Sequence, residues 1–213
     1  MKENQKSYKD YLDKTFLEEL NYKIWSTKGA RFKANERLIH IAQLSNICTS
    51  MLSIYLIAVG LLSVYNLNSA LEYDYNLLAY SSTCLSILVL VFGQIENAKD
   101  FKLKANQFHN CGLELSHIYN ELRIFKTLTL EPNLKDKGDF SRKISDEYQK
   151  ILERYENHDS IDHQRFIAAK PKYHELNWFD VFFINISYYF KTSFIYHLMI
   201  IIPPFIILIL IIK

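Results

Sequence analysis

Apolar and polar positions are distributed very unevenly along this chain. Between Arg37 and Glu72, between Asp74 and Glu96, and between Lys191 and Lys213 there is no Asp, Glu, Lys or Arg. A bilayer core of about 30 Å needs about 20 helical residues, and a soluble core helix rarely runs that far without a charge. The pattern predicts membrane spans over 41–65, 75–95 and 192–212. The third is the most apolar, and Pro203 and Pro204 near its middle predict a kink. The first carries Ser45, Asn46, Thr49, Ser50 and Ser53, so one of its faces should meet protein or water instead of lipid.

The flanking segments are amphipathic. Tyr8 to His40 reads as a helix with Phe16, Leu20, Ile24 and Trp25 on one side, leading into the first span. After the second span no Gly or Pro stops the helix. There Phe101, Ala105, Phe108, Gly112, Leu115, Tyr119 and Leu122 alternate four and three apart. That is the seam of a coiled coil, predicting a stalk that packs on a helix of this chain or of a neighbouring subunit. Gly112 weakens it, costing about 1 kcal/mol relative to Ala.

Glu131 to Asp139, with Pro132, Asn133 and Gly138, breaks the helix. Beyond it Ile144, Tyr148, Ile151 and Tyr155 mark a helix that folds back as an antiparallel hairpin. The aromatic run from Trp178 to Phe190 suits the headgroup level and predicts an interfacial helix.

The expected fold is an all-α membrane protein with an N-terminal transmembrane hairpin, a long cytoplasmic helical stalk or hairpin, and a C-terminal transmembrane helix. Its segments are an amphipathic cytoplasmic helix (1–40), the transmembrane hairpin (41–95) and a cytoplasmic helical region (96–175), then the interfacial helix (176–190) and the anchor (191–213).

Charge adds orientation. Across 213 residues the net charge is only +2, but its placement is asymmetric. The turn 66–74 carries Glu72 and Asp74 and no Lys or Arg, whereas Lys28, Arg31, Lys33 and Arg37 precede the hairpin and Lys99, Lys102 and Lys104 follow it. The positive-inside rule then makes both flanks cytoplasmic. Residues 1–40 hold nine Lys or Arg and no apolar core segment, unlike a cleavable signal. The cluster from Lys28 to Arg37 reads as topogenic charge meeting anionic lipid, and direct nucleic-acid binding is not expected. Cys48, Cys84 and Cys111 are too scattered for a disulfide framework or zinc site and read as packing residues.

Catalytic chemistry is sparse. Five glycines form no phosphate loop or dinucleotide fingerprint, so no cofactor is expected. The densest polar group, His158, Asp159, Asp162 and His163, reads as a solvated helix end or loop, because a metal would need a third ligand at firm spacing. His109 and His117 flank the stalk seam and read as structural.

The spans carry more signal. Asn46, Ser50, Ser53, Ile57 and Gly60 align as one stripe on the first, and Ser82, Ser86, Val89 and Gly93 as another on the second. Glu96, beside Gln94 and Asn97, closes the second stripe. A ring of Glu96 would suit a pore mouth; simple packing within the hairpin is the other reading.

The block TKGARFKANERL (Thr27 to Leu38), LSIYLI (Leu52 to Ile57) and FGQIENAKDFKLKANQFHNC (Phe92 to Cys111) resemble the SLATT family, most closely its fifth subfamily, found with reverse transcriptases. These are bacterial two-transmembrane effectors named for association with nucleotide-synthesising and nucleotide-sensing proteins. The resemblance implies a non-enzymatic effector in the bacterial inner membrane, acting in conflict systems including anti-phage defence. It would oligomerise and open or damage that membrane when a cytoplasmic sensor, nucleotide-signalling or reverse-transcriptase partner detects infection. The hydrophobic C-terminal segment departs from the minimal two-span core. A membrane-anchored scaffold, holding a cytoplasmic partner without conductance, is the alternative.

Overall fold

The computed structural model describes residues 15–64, 75–129 and 132–212. The start of the predicted first helix, from Tyr8 to Lys14, the turn 66–74 and the head of the predicted break at Glu131 lie outside the described residues. Every described element is a helix: α1 (Phe16–Val64), α2 (Tyr75–Ala98), α3 (Phe101–Leu128), α4 (Leu134–Arg154), α5 (Ser160–Ala168), α6 (Trp178–Thr192) and α7 (Phe194–Ile212). Two helical stretches are long and apolar enough to cross a membrane, or up to three if α6 and α7 count as one bent span.

The amphipathic helix and first span are one continuous helix of 49 residues. The second span and the stalk form one helical stretch from Asn76 to Leu128, interrupted only briefly between α2 and α3. Asp100 sits at φ 47° between α2 and α3, a left-handed conformation that Asp tolerates because its short side chain hydrogen-bonds locally. No Gly or Pro marks this break, which is why the sequence pattern ran through it. α4 starts inside the predicted break: Asn133 caps it by accepting from the Asp136 N–H at 2.7 Å, and Gly138 is helical.

Contacts divide the chain into two units, and α1 contributes to both. The first, 1–39 with 102–188, is a helical bundle. Its core is Leu20 and Ile24 of α1, Cys111, Leu115, Ile118 and Leu122 of α3, and Ile144 and Ile151 of α4. Cross-contacts give the directions: Phe125 stacks on Phe140 while Glu114 meets Arg154, so α3 and α4 are antiparallel. Glu18 pairs with Lys126 while the Asn35 amide donates to the Ala105 carbonyl, so α1 and α3 are antiparallel too.

The second unit, 40–101 with 189–213, holds the rest of α1, α2 and α7. His40 lies 3.2 Å from the Ser193 hydroxyl, and the Tyr55 hydroxyl donates to the Ile200 carbonyl at 3.0 Å. The chain bends by 59° at Ser193, between α6 and α7, whereas α7 runs on as helix through Pro203 and Pro204. The sharp turn thus precedes the expected Pro-Pro kink. The Ser193 N–H still donates to Tyr189, and His197 to Ser193, which carries helical hydrogen bonding across the bend.

Candidate functional site

The α1 stripe points away from the face that α1 uses for packing within the chain. Ile41, Ser45, Cys48, Leu52 and Val59 are buried, whereas Asn46, Ser50 and Ile57 are exposed and Ser53 and Gly60 half-buried. On α2, Ser82, Val89 and Gly93 are half-buried and Ser86 exposed. The hydroxyls are satisfied by their own helices: Ser50 donates to Asn46, Ser53 to Thr49 and Ser86 to Thr83, each at 2.8 Å to a carbonyl. A Cβ added at Gly60 or Gly93 would meet nothing within 4 Å.

Glu96 differs from the rest of its stripe. It is only 7% exposed, and the Tyr196 hydroxyl donates to its Oε2 at 2.7 Å, Lys99 Nζ to its Oε1 at 2.6 Å. Ser45 also hydrogen-bonds it, so the carboxylate ties α1, α2 and α7 together. Phe92 packs edge-on against Tyr196 above this knot.

The stalk residues converge on one face of α3. Ala105, Phe108, Gly112, Leu115 and Leu122 are buried, Phe101 and Tyr119 half-buried. From Ala105 onward the face is covered by α1 and α4 of the same chain. Gly112 now has a reason: an added Cβ would sit 2.8 Å from the Phe32 ring, so the missing side chain is what lets α1 approach.

Sequence reasoning missed a polar and aromatic junction where α5 docks on α1. Arg31 is fully buried; it donates to the Glu156 carbonyl and, at 3.4 Å, to Asn157 Oδ1, and lies over the Phe108 ring. Arg37 grips Asp162 and Asp159, and Lys28 sits 4.1 Å from the Tyr119 ring centroid. Much of the basic cluster expected at anionic lipid is therefore spent inside the bundle. The group expected to be a solvated helix end is likewise buried at its centre: Asp162 is 0% exposed, and its side chain also accepts from the Asp159 N–H.

Gly29 faces Phe166 so closely that a Cβ would fall 2.1 Å from the ring, and Trp25 packs edge-on against the same ring at 4.8 Å. His163 lies 3.0 Å from the Ser26 hydroxyl and His174 stacks on Trp25. Burial, helped by the Arg31 charge, pushes His158 down to about 4; burial lowers His163 and His174 as well. No group of three or more metal-ligating side chains occurs among the described residues. Arg31 was the available signal: a charge on the helix face that also carries Leu20 and Ile24, with Gly29 opening the opposite side of the same helix to Phe166.

Apolar helices able to cross a bilayer, joined to a polar helical bundle, define a helical membrane protein. The chain belongs to the SMODS and SLOG-associating 2TM effector domain family 5, which it matches over residues 13–210. That family is an effector membrane domain and not a known enzyme family. No curated protein and no solved structure matches the chain. Most of the block from Thr27 to Leu38 that carried the resemblance is engaged in the junction and bundle just described, through Thr27, Lys28, Gly29, Arg31, Phe32, Asn35 and Arg37.

Proposed function

We propose that this protein is a membrane effector of a bacterial conflict or anti-phage defence system, resident in the inner membrane with its N-terminus cytoplasmic. It acts by self-assembly that opens a pore or perturbs the bilayer. The observation that carries this reading is α2: only 6% of its most apolar window is buried within the chain, against 28% for α1. Asn46 and Ser50 are also uncovered on a membrane helix. Polar groups and small residues left bare in lipid are the surfaces through which transmembrane helices associate.

A second reading, an anchor that holds a cytoplasmic sensor or reverse-transcriptase partner without conductance, is favoured by the closed Glu96 knot and by the self-satisfied hydroxyls.

Membrane-potential dye during induced expression, with and without the neighbouring gene products, separates the two. The effector depolarises the membrane and arrests growth; the anchor leaves both intact. Gly60→Ile and Gly93→Ile sharpen the test, because a Cβ added at either position meets nothing within 4 Å. Loss of arrest with normal insertion then reports contact between copies. Orientation is tested by reporters fused after Asn68, expected outside, and after Gly138, expected inside.

A further inference from the structure

α3 carries a second seam, on the side opposite the one that packs within the chain. Leu103, Asn110, His117 and Ile124 recur every seven residues, and Leu113 and Asn120 fall between them at the three- and four-residue steps of a heptad. All six are exposed, with Leu103 and Ile124 at 57% and Leu113 at 52%. Isolated exposed leucines are ordinary, but Leu103, Leu113 and Ile124 share one heptad frame on a single exposed face, with the polar Asn106, Asn110, His117 and Asn120 filling its other positions, which suits a weak, polar helix pair. The inner seam is already covered by α1 and α4, so intramolecular packing does not account for the outer one.

We propose that this outer row is where the cytoplasmic bundles of two copies pair, α3 against α3 in parallel. The proposal rests on the reading of the protein as a self-assembling membrane effector and names the surface it uses outside the bilayer. Direction follows from the flanks. One side of the row carries Lys102, His109 and Arg123, the other Glu114 and Glu121. Parallel pairing sets each flank against the opposite one, whereas antiparallel pairing sets each against itself. Glu114 and Glu121 are held within the chain by Arg154 and Lys143 but keep 34% and 33% of their side-chain surface exposed, enough to face a second charge. Membrane spans impose the same parallel alignment on neighbouring copies. Asn110 and Asn120 in the seam select register at a cost in stability, which makes the pairing weak in dilute protein and dependent on concentration within the membrane.

The test is oxidative cross-linking of the full-length protein in its own membranes, in a background with Cys48, Cys84 and Cys111 replaced by Ala. Asn110→Cys, Leu113→Cys and His117→Cys should each give disulfide-linked dimers, while Lys150→Cys, exposed on α4, should not. Adding Leu113→Glu and Ile124→Glu to His117→Cys should lower the dimer yield about tenfold or more by placing like charges across the seam. These substitutions are at exposed positions, and unchanged melting of the bundle confirms that folding is intact.

Absence of dimers at all three seam positions, equal yield at Lys150→Cys, or adducts only with a different protein would overturn the pairing. Growth arrest that persists without seam dimers sinks this surface and leaves the effector reading. Seam dimers in cells that neither arrest nor depolarise do the reverse.

Discussion

Arg37 grips Asp162 across 125 residues of sequence, Nε donating to Oδ1 at 2.8 Å and Nη2 to Oδ2 at 3.0 Å. The pair is nearly dry, with side-chain exposures of 12% and 0%, and Nη2 reaches Asp159 as well. Two parallel charge-assisted bonds fix both distance and orientation, so α5 has one docked position on α1.

Removing one partner should strand the other charge in the interior. Arg37→Ala or Asp162→Asn should cost the bundle about 3–5 kcal/mol, and Arg37→Lys should recover only part because an ammonium lacks the planar fork. Thermal melting in detergent checks the loss, and limited proteolysis around α5 locates it. Melting unchanged from the wild type would mean that α5 is held by its aromatic contacts alone.

The histidines beside this pair should make stability depend on pH. His158 titrates at about 4 when folded and at an ordinary 6.5 otherwise, so between those values the unfolded chain binds more protons. Stability is then complete above the ordinary value and is lost as pH falls toward 4, with His163 and His174 acting in the same direction. The melting temperature should drop between pH 7 and pH 5, and His158→Gln should shrink that drop. A profile that is flat, or unaltered by the substitution, would contradict this.

Glycines in the two units should respond oppositely to Ala. At Gly29 and Gly112 the new Cβ falls 2.1 and 2.8 Å from the Phe166 and Phe32 rings, which outweighs the gain of about 1 kcal/mol in helix propensity. Overpacking of this kind costs about 1–3 kcal/mol. Gly60→Ala and Gly93→Ala meet open space and should leave the monomer unharmed or slightly firmer. Melting of the four variants, measured side by side, distinguishes the groups.

Leu115 and Leu122 are both 0% exposed in the bundle core. Truncation to Ala should cost about 2–5 kcal/mol each, and Leu→Lys should unfold the bundle instead of selectively dissociating copies. Tryptophan fluorescence and protease sensitivity would report it. A folded Leu122→Lys protein that merely lost assembly would return the inner seam to an intersubunit role.

The sequence by itself determined the helical class, the long charge-free stretches and the inner face of α3, because these depend on local periodicity and on the absence of charge. Residues three and four apart on a helix share a face whatever lies opposite, so the run from Ala105 to Leu122 was legible without a partner in view.

Tertiary structure decided what each face meets. Arg31 and Arg37 look like any membrane-flanking basic residues until Glu156 and Asp162, more than a hundred positions away, are brought to them. Glu96 shows no partner in its local sequence until the fold brings the Tyr196 hydroxyl to its carboxylate. A bend of 59° falls at Ser193, which no Gly or Pro marks, and the α1 stripe from Asn46 to Gly60 points away from the buried face. A charge or a small side chain has the same local pattern in solvent, in lipid or in a core; only the partners delivered by the fold distinguish those surroundings.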